Sequence, residues 1–140
     1  MLASDSTSIG NSKRPLRILS ADDQILVGEF LTLLFSGAGH AVEHFTDGLA
    51  AWERISGAID WFDVLITDNR MPELNGLDLV ELLRQTEYRG RIIVLSGSVS
   101  AEDAESYRLL GVDLILKKAT KADELLKAVE TTAYKSVRAS

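Results

Sequence analysis

The sequence predicts an α/β domain built on a doubly wound, five-stranded parallel sheet in the order 2-1-3-4-5. Three observations lead there. Five short apolar segments recur along the chain, each followed by a longer stretch with apolar residues at helical spacing, the alternation that gives a parallel sheet with helices on both faces. The segments at residues 62–67 and 91–95 are near-continuous apolar runs rich in β-branched residues, as expected of strands buried on both faces. Gly, Pro, Asn and Asp punctuate the boundaries between segments. Right-handed crossovers then leave only a few topologies, and the order 2-1-3-4-5 is the one we take.

The first strand is read over residues 16–21, with Ile18 and Leu19 buried, and it ends on Asp22-Asp23. Residues 25–38 follow as a helix whose inward face carries Val27, Phe30, Leu31 and Leu34; Gly37 and Gly39 stop it. The second strand, 41–46, alternates Val42 and His44 against Glu43 and Phe45. Asp47 before Gly48 turns the chain and can cap a helix over 49–56. The third strand, 62–67, ends abruptly on Asp68, and Pro72, Asn75 and Gly76 mark a loop after it. A helix over 77–85 carries Leu79, Val80, Leu82 and Leu83. The fourth strand, 91–95, runs into Ser96-Gly97. Ser100 and Asp103 have capping-box spacing for a helix ending near Leu110, with Gly111 as its stop. The fifth strand spans 113–117. Thr120 and Asp123 repeat the cap spacing ahead of a last helix with Leu125, Leu126 and Val129 inward.

A length of 140 residues suits one domain, read over residues 15–138. Residues 1–14 are polar and rich in serine; they cannot offset their ordering entropy by burial and read as a flexible lead-in. Lys and Arg number 15 against 21 Asp and Glu, a net charge of −6. That opposes non-specific nucleic-acid binding, which needs a basic face. There is no cysteine, so no disulfide and no thiol chemistry. The charge-free run at residues 30–42 is interrupted by Ser36, Gly37, Gly39 and His40 and falls short of the roughly 20 apolar residues of a spanning helix. The N-terminus has no apolar stretch of signal-peptide type. No membrane role is expected, and the cytoplasm is the default compartment.

In an open sheet of this order, ligands sit outside the carboxyl ends of the strands, at the switch point between the first and third. That rim collects Asp22 and Asp23 from strand one, Asp68 from strand three, Ser96 from strand four, and Lys117 or Lys118 from strand five. Each has a plain structural role open to it. Asp22-Asp23 can cap a helix, Asp68 and Ser96 can form turns, and a lysine after a strand is commonly a solvated surface group. His40 and His44 have no evident ligand partner. The combination is more specific than any member. Three converging carboxylates repel one another and raise their own pKa values, a strain that a cation relieves. Oxygen ligands suit Mg2+ best, with Mn2+ as the alternative. A lysine and a hydroxyl beside the acidic cluster provide what a phosphoryl group needs, positive charge and a hydrogen-bond donor.

This pattern resembles the receiver domain of two-component response regulators. The residues that carry the resemblance are Asp22-Asp23 after strand one, Asp68 followed by Met71-Pro72-Glu73-Leu74-Asn75-Gly76, Ser96-Gly97, and Gly111-Val112-Asp113 leading to Lys118. It covers about residues 16–134. It implies a flavodoxin-like fold, for which the order 2-1-3-4-5 is already known, and a phosphoacceptor signalling domain rather than an enzyme. By resemblance, Asp68 is the phosphoacceptor. Asp23, Asp68 and the backbone carbonyl of Arg70 are direct metal ligands, and Asp22 acts through water or orients its neighbours. Ser96 hydrogen-bonds the phosphoryl group. Lys118, seven positions after Gly111, is the family lysine, which leaves Lys117 at a variable position. The implied partners are a sensor histidine kinase or histidine phosphotransfer protein as donor, and a downstream protein target. No output domain is read after the last helix, so the expected forms are a free-standing regulator, a relay intermediate, or a receiver from a hybrid histidine kinase.

Three positions depart from the family. Ala119 stands where a cis proline is usual, and because a non-proline cis bond costs roughly 2.5–4 kcal/mol, a trans Lys118–Ala119 bond is the expectation. Ile115 replaces the usual switch aromatic, and Thr120 another common aromatic. Two rivals fare worse. A flavin-mononucleotide protein of this sheet order needs a phosphate loop after strand one, where Asp22-Asp23 would repel phosphate. A metal-dependent phosphatase with an Asp nucleophile has a second Asp two residues later, where this chain has Arg70. A receiver fold used as an unphosphorylated docking module stays open; uptake of phosphate by Asp68 distinguishes it.

Overall fold

A computed structural model describes residues 14–135. The expected lead-in, apart from Arg14, lies outside the described residues, as do residues 136–138 of the expected domain. The chain alternates β1 (Arg17–Ala21), α1 (Ile25–Gly37), β2 (Ala41–Phe45), α2 (Gly48–Ser56), β3 (Val64–Thr67), α3 (Gly76–Arg84), β4 (Arg91–Ser96), α4 (Ala101–Leu109), β5 (Leu114–Lys117) and α5 (Ala122–Tyr134). All neighbouring strands are parallel, and the order is β2-β1-β3-β4-β5, the expected 2-1-3-4-5.

Strand periodicity divides the core into two layers. Ile18, Val64, Ile66, Ile93 and Leu95 face one way and meet Leu31 and Phe35 of α1 and Leu125 and Val129 of α5. Leu19, Ala21, Leu65, Ile92 and Val94 face the other way, against Ala51 and Ile55 of α2, Leu79, Val80 and Leu83 of α3, and Tyr107 of α4. Fully burying one such apolar side chain stabilises the fold by about 1.5–3 kcal/mol. The sheet is therefore gripped from both sides, and its carboxyl rim is a firm edge from which to hang side chains.

Helix starts are set mostly by side-chain caps. Asp47 Oδ1 accepts from the Ala50 amide at 2.7 Å, as expected. Ser100 Oγ accepts from the Asp103 amide at 3.0 Å, also as expected. Asn75, read from sequence as a loop residue, is instead the N-cap of α3, accepting from the Asp78 amide at 2.8 Å. Thr120 does not cap α5. Lys121 holds the N-cap position without a side-chain bond, and the Thr120 amide donates to the Lys117 carbonyl at 2.9 Å in the turn leaving β5.

Phe30 is a second correction, since it is 41% exposed rather than inward. Helix α1 buries Gly28, Leu31 and Phe35, while Ile25, Leu26 and Leu33 lie outside. With apolar residues nearly all round, spacing alone does not select its face. Gly28 does so physically: a Cβ there would lie 2.3 Å from the His44 ring on β2. Both histidines are satisfied within the fold. His40 accepts from the Leu16 amide at Nδ1 (3.0 Å), so its Nε2 carries the proton and donates to Glu130 at 2.7 Å. His44 pairs with Ser20 Oγ and, at 3.0 Å, with the Asp22 carbonyl. Among the described residues, no helix is long and apolar enough to cross a membrane.

Candidate functional site

Asp22, Asp68 and Lys118 each sit one step past a strand end, held by one more rung of the ladder, while Ser96 closes β4. The Asp22 amide donates to the Phe45 carbonyl at 3.0 Å, the Asp68 amide to the Ala21 carbonyl at 2.8 Å, and the Lys118 amide to the Ser96 carbonyl at 3.0 Å. Their backbones thus have the rigidity of the sheet, and the side chains of Asp68 and Lys118 reach into a cleft of about 490 Å³. Asp23, Gln24, Asp68, Arg70, Ser96, Gly97, Ser98 and Lys118 line it.

Asp22, Asp23 and Asp68 each bring a carboxylate oxygen within 4.8 Å of the others. Their surroundings differ. Asp22 is 3% exposed, Asp68 is buried, and Asp23 is open to solvent. Asp22 Oδ1 accepts from the Gln24 amide at 2.9 Å, and Asp68 Oδ1 accepts from the Asn69 amide at 2.7 Å. The Lys118 ammonium closes the other side, 2.8 Å from Asp22 Oδ2, 3.1 Å from Asp68 Oδ2 and 2.7 Å from Gln24 Oε1.

Burial raises the Asp22 pKa, and the neighbouring Asp68 charge adds to it; the bonds from Lys118 and the Gln24 amide return only part of that cost. For Lys118, burial works downward, but the hydrogen bonds to Asp22 and Asp68 outweigh it and hold the pKa above the ordinary lysine value. One ammonium thus stands against three clustered carboxylates. An all-oxygen donor set with surplus negative charge fits a hard divalent cation.

Ser96 lines the cleft, but its hydroxyl donates along its own loop to the Ser98 carbonyl at 3.1 Å. Lys118, not the exposed Lys117, reaches the acidic cluster. The Lys118–Ala119 bond is trans. Arg70 borders the cleft, and the loop beyond it turns through Glu73 in a left-handed conformation (φ 70°). The sequence reading missed two residues. Gln24 carries a Lys118 contact; its place directly after Asp22-Asp23 was the available signal. Asn69 is buried beside Asp68 with its side chain bonded to α4; a lone Asn in a turn-rich loop gives no such signal.

The profile of the response regulator receiver domain family matches residues 18–130, and the chain belongs to that family. It is a receiver domain of the two-component type. It is 36% identical over 118 residues to the response regulator MprA of Mycobacterium leprae, covering 81% of this chain and 49% of that protein. It is 33% identical over 113 residues to a gliding motility regulatory protein of Myxococcus xanthus, covering 79% of this chain and 14% of that one. The chain spans half or less of the length of these curated relatives. A CheY-like response regulator receiver domain protein from Methanospirillum hungatei has the same fold, with a TM-score of 0.83 at 19% identity over 91% of this chain and 100% of that one. The chemotaxis response regulator CheY4 of Vibrio cholerae gives 0.77 at 26% identity, over 85% and 99%.

Proposed function

We propose that Asp68 accepts a phosphoryl group from a phosphohistidine on a sensor histidine kinase or histidine phosphotransfer protein. The observation that carries this reading is the Asp68 carboxylate itself: held at the tip of β3, facing an open cleft, and paired at 3.1 Å with an ammonium. A carboxylate oxygen of Asp68 attacks phosphorus and the P–N bond to the donor imidazole breaks. The electron pair returns to that nitrogen, and Asp68 is left as an acyl phosphate. Little covalent work falls to the protein; positioning and charge neutralisation do most of it. Lys118 meets one phosphoryl oxygen, and the Ser96 hydroxyl swings from the Ser98 carbonyl to donate to another.

Asp23, Asp68 and the Arg70 carbonyl would hold Mg2+, or Mn2+ in its place, directly, with Asp22 acting through water or orienting its neighbours. A cation held there would supply charge neutralisation for the transferring phosphoryl group. The added charge, about −1.5 to −2 by analogy with phosphorylated hydroxyls, biases a protein-binding surface between two arrangements and so reaches a downstream protein target. The chain catalyses only its own phosphoryl transfer and dephosphorylation. Incubation with acetyl phosphate and Mg2+ should add one phosphoryl mass, and Asp68→Asn should abolish it. Equal labelling of that variant overturns the assignment. A wild type that takes up no phosphate leaves the docking-module reading in its place.

A further inference from the structure

Helix α4 is anchored differently from the other four. Its sequence, AEDAESYRL, has a single aromatic, and among the described residues of α4 Tyr107 is the one that is buried, at 0% exposure. Tyr107 is therefore the one side chain this helix puts into the core, and it ends in a polar group. The Tyr107 hydroxyl donates to Asn69 Oδ1 at 2.5 Å. Burial pushes this phenol up, and the Asp103 and Asp68 charges add to the shift, so it stays protonated and stays a donor.

Asn69 has each of its polar groups engaged. Its amide donates to Asp68 Oδ1 at 2.7 Å. Its carbonyl accepts from the Gly76 amide at 2.9 Å. Its Oδ1 takes the Tyr107 hydroxyl, and its Nδ2 donates to Asp103 Oδ2 at 3.3 Å, in the first turn of α4. The backbone of one residue holds the Asp68 carboxylate, while its side chain grips α4 at two points. There is no slack around this link. A Cβ at Gly76 would lie 2.2 Å from the Asp68 carbonyl oxygen and 2.8 Å from the Tyr107 hydroxyl. On the other side of the site, Ile115 offers an aliphatic tip that is 39% exposed.

We propose that the Asn69–Tyr107 hydrogen bond is the link that couples α4 to the state of Asp68. This rests on the reading of Asp68 as the phosphoacceptor. The bond from the Asn69 amide to a carboxylate is charge-assisted. When Asp68 is esterified that acceptor loses its charge, the bond weakens, and the amide is free to turn toward phosphoryl oxygen. Re-aiming the Asp68–Asn69 peptide moves the Asn69 side chain, and with it both of its bonds to α4, from the Tyr107 hydroxyl and to Asp103. The coupling is reciprocal: whatever holds α4 in one position changes the affinity of Asp68 for a phosphoryl group by the same factor.

Beryllofluoride with Mg2+ is the probe, read by amide NMR on wild type, Tyr107→Phe and the double variant Asn69→Leu/Tyr107→Phe. Phe keeps the ring in the core. The double variant replaces both partners with apolar groups, so no polar group is left buried alone. In wild type the amides of Ala101–Leu109 shift on activation. In Tyr107→Phe, which keeps the Asn69–Asp103 bond, those shifts shrink, and in the double variant they are lost; in both the Lys118 amide still responds, which reports that the site is loaded. Shifts in Ala101–Leu109 that persist at wild-type size in both variants overturn the inference. A wild type in which Asn69 and Lys118 do not respond at all overturns the phosphoacceptor reading, and the inference falls with it.

Discussion

Lys118 Nζ lies 3.1 Å from Asp68 Oδ2, and the same ammonium lies 2.8 Å from Asp22 Oδ2. On the proposed reading, a bound cation would compete with this lysine to neutralise one cluster. Lys118→Ala leaves a buried Asp22 without its counter-charge, so the metal-free variant should be less stable by about 1–3 kcal/mol. Mg2+ should then raise its Tm by more than it raises that of wild type, since binding to the folded state stabilises by mass action. Acetyl phosphate labelling should slow, because a phosphoryl oxygen loses its partner. Thermal melts over a Mg2+ series check the first part. Equal stabilisation of both proteins would show that ammonium and ion do not share the cluster.

Asp23 separates metal binding from folding. It is exposed while Asp22 is not. In the absence of metal, Asp23→Asn should be at least as stable as wild type, because it removes one of three mutually repelling carboxylates. Its heat of Mg2+ binding in calorimetry should nonetheless fall sharply. An unchanged affinity would remove Asp23 from the ligand set.

What could be read in the sequence is what depends on strand ends. Asp22, Asp68 and Ser96 follow or close apolar runs, and a parallel sheet of known order brings such positions to one rim. Lys118 could be told from Lys117 only through the resemblance to the receiver family, whose lysine falls seven positions after Gly111. What could not be read depends on which way a loop or helix turns its side chains. Phe30 occupies an apolar position on a helix with apolar residues on nearly every side, so its exposure is decided by how closely Gly28 lets α1 approach His44. Asn69 and Tyr107 are 38 residues apart, and only the packing of α4 over the β3 loop makes them partners.

Gly76 shows the same difference between type and reason. Its glycine reads as a turn signal, yet it begins α3 without a left-handed backbone. The requirement is close approach, since a Cβ would meet the Asp68 carbonyl oxygen at 2.2 Å. Gly76→Ala should therefore lower stability by about 1–3 kcal/mol or more, as overpacking does, and should displace Asp68 enough to slow labelling. Gly97, on the same rim, has nothing within 4 Å of an added Cβ. Gly97→Ala should stay within about 0.5 kcal/mol of wild type. Paired melting curves check both; similar losses at the two positions would contradict the packing argument.

Asp63, at the amino end of the sheet, carries a pH dependence of its own. Its Oδ1 accepts from the Arg14 guanidinium at 2.9 Å and its Oδ2 from the Arg17 amide at 2.8 Å. Burial by itself raises its pKa, but these bonds outweigh burial and hold the carboxyl below the ordinary carboxylate value. Arg14 is 63% exposed, so solvent screening discounts its share. With the folded pKa below the unfolded value of about 3.9, the stabilisation is fully present above that value. It is lost as pH falls through the lower, folded one. Asp63→Asn should therefore melt below wild type at pH 7, by roughly 2–8 °C for each kcal/mol lost. The gap should close as the pH drops below about 4, because protonation removes from wild type the charge that the variant already lacks. A gap of constant size from pH 7 down to pH 3 would mean that the ionised carboxylate is not what ties β1 to the start of β3.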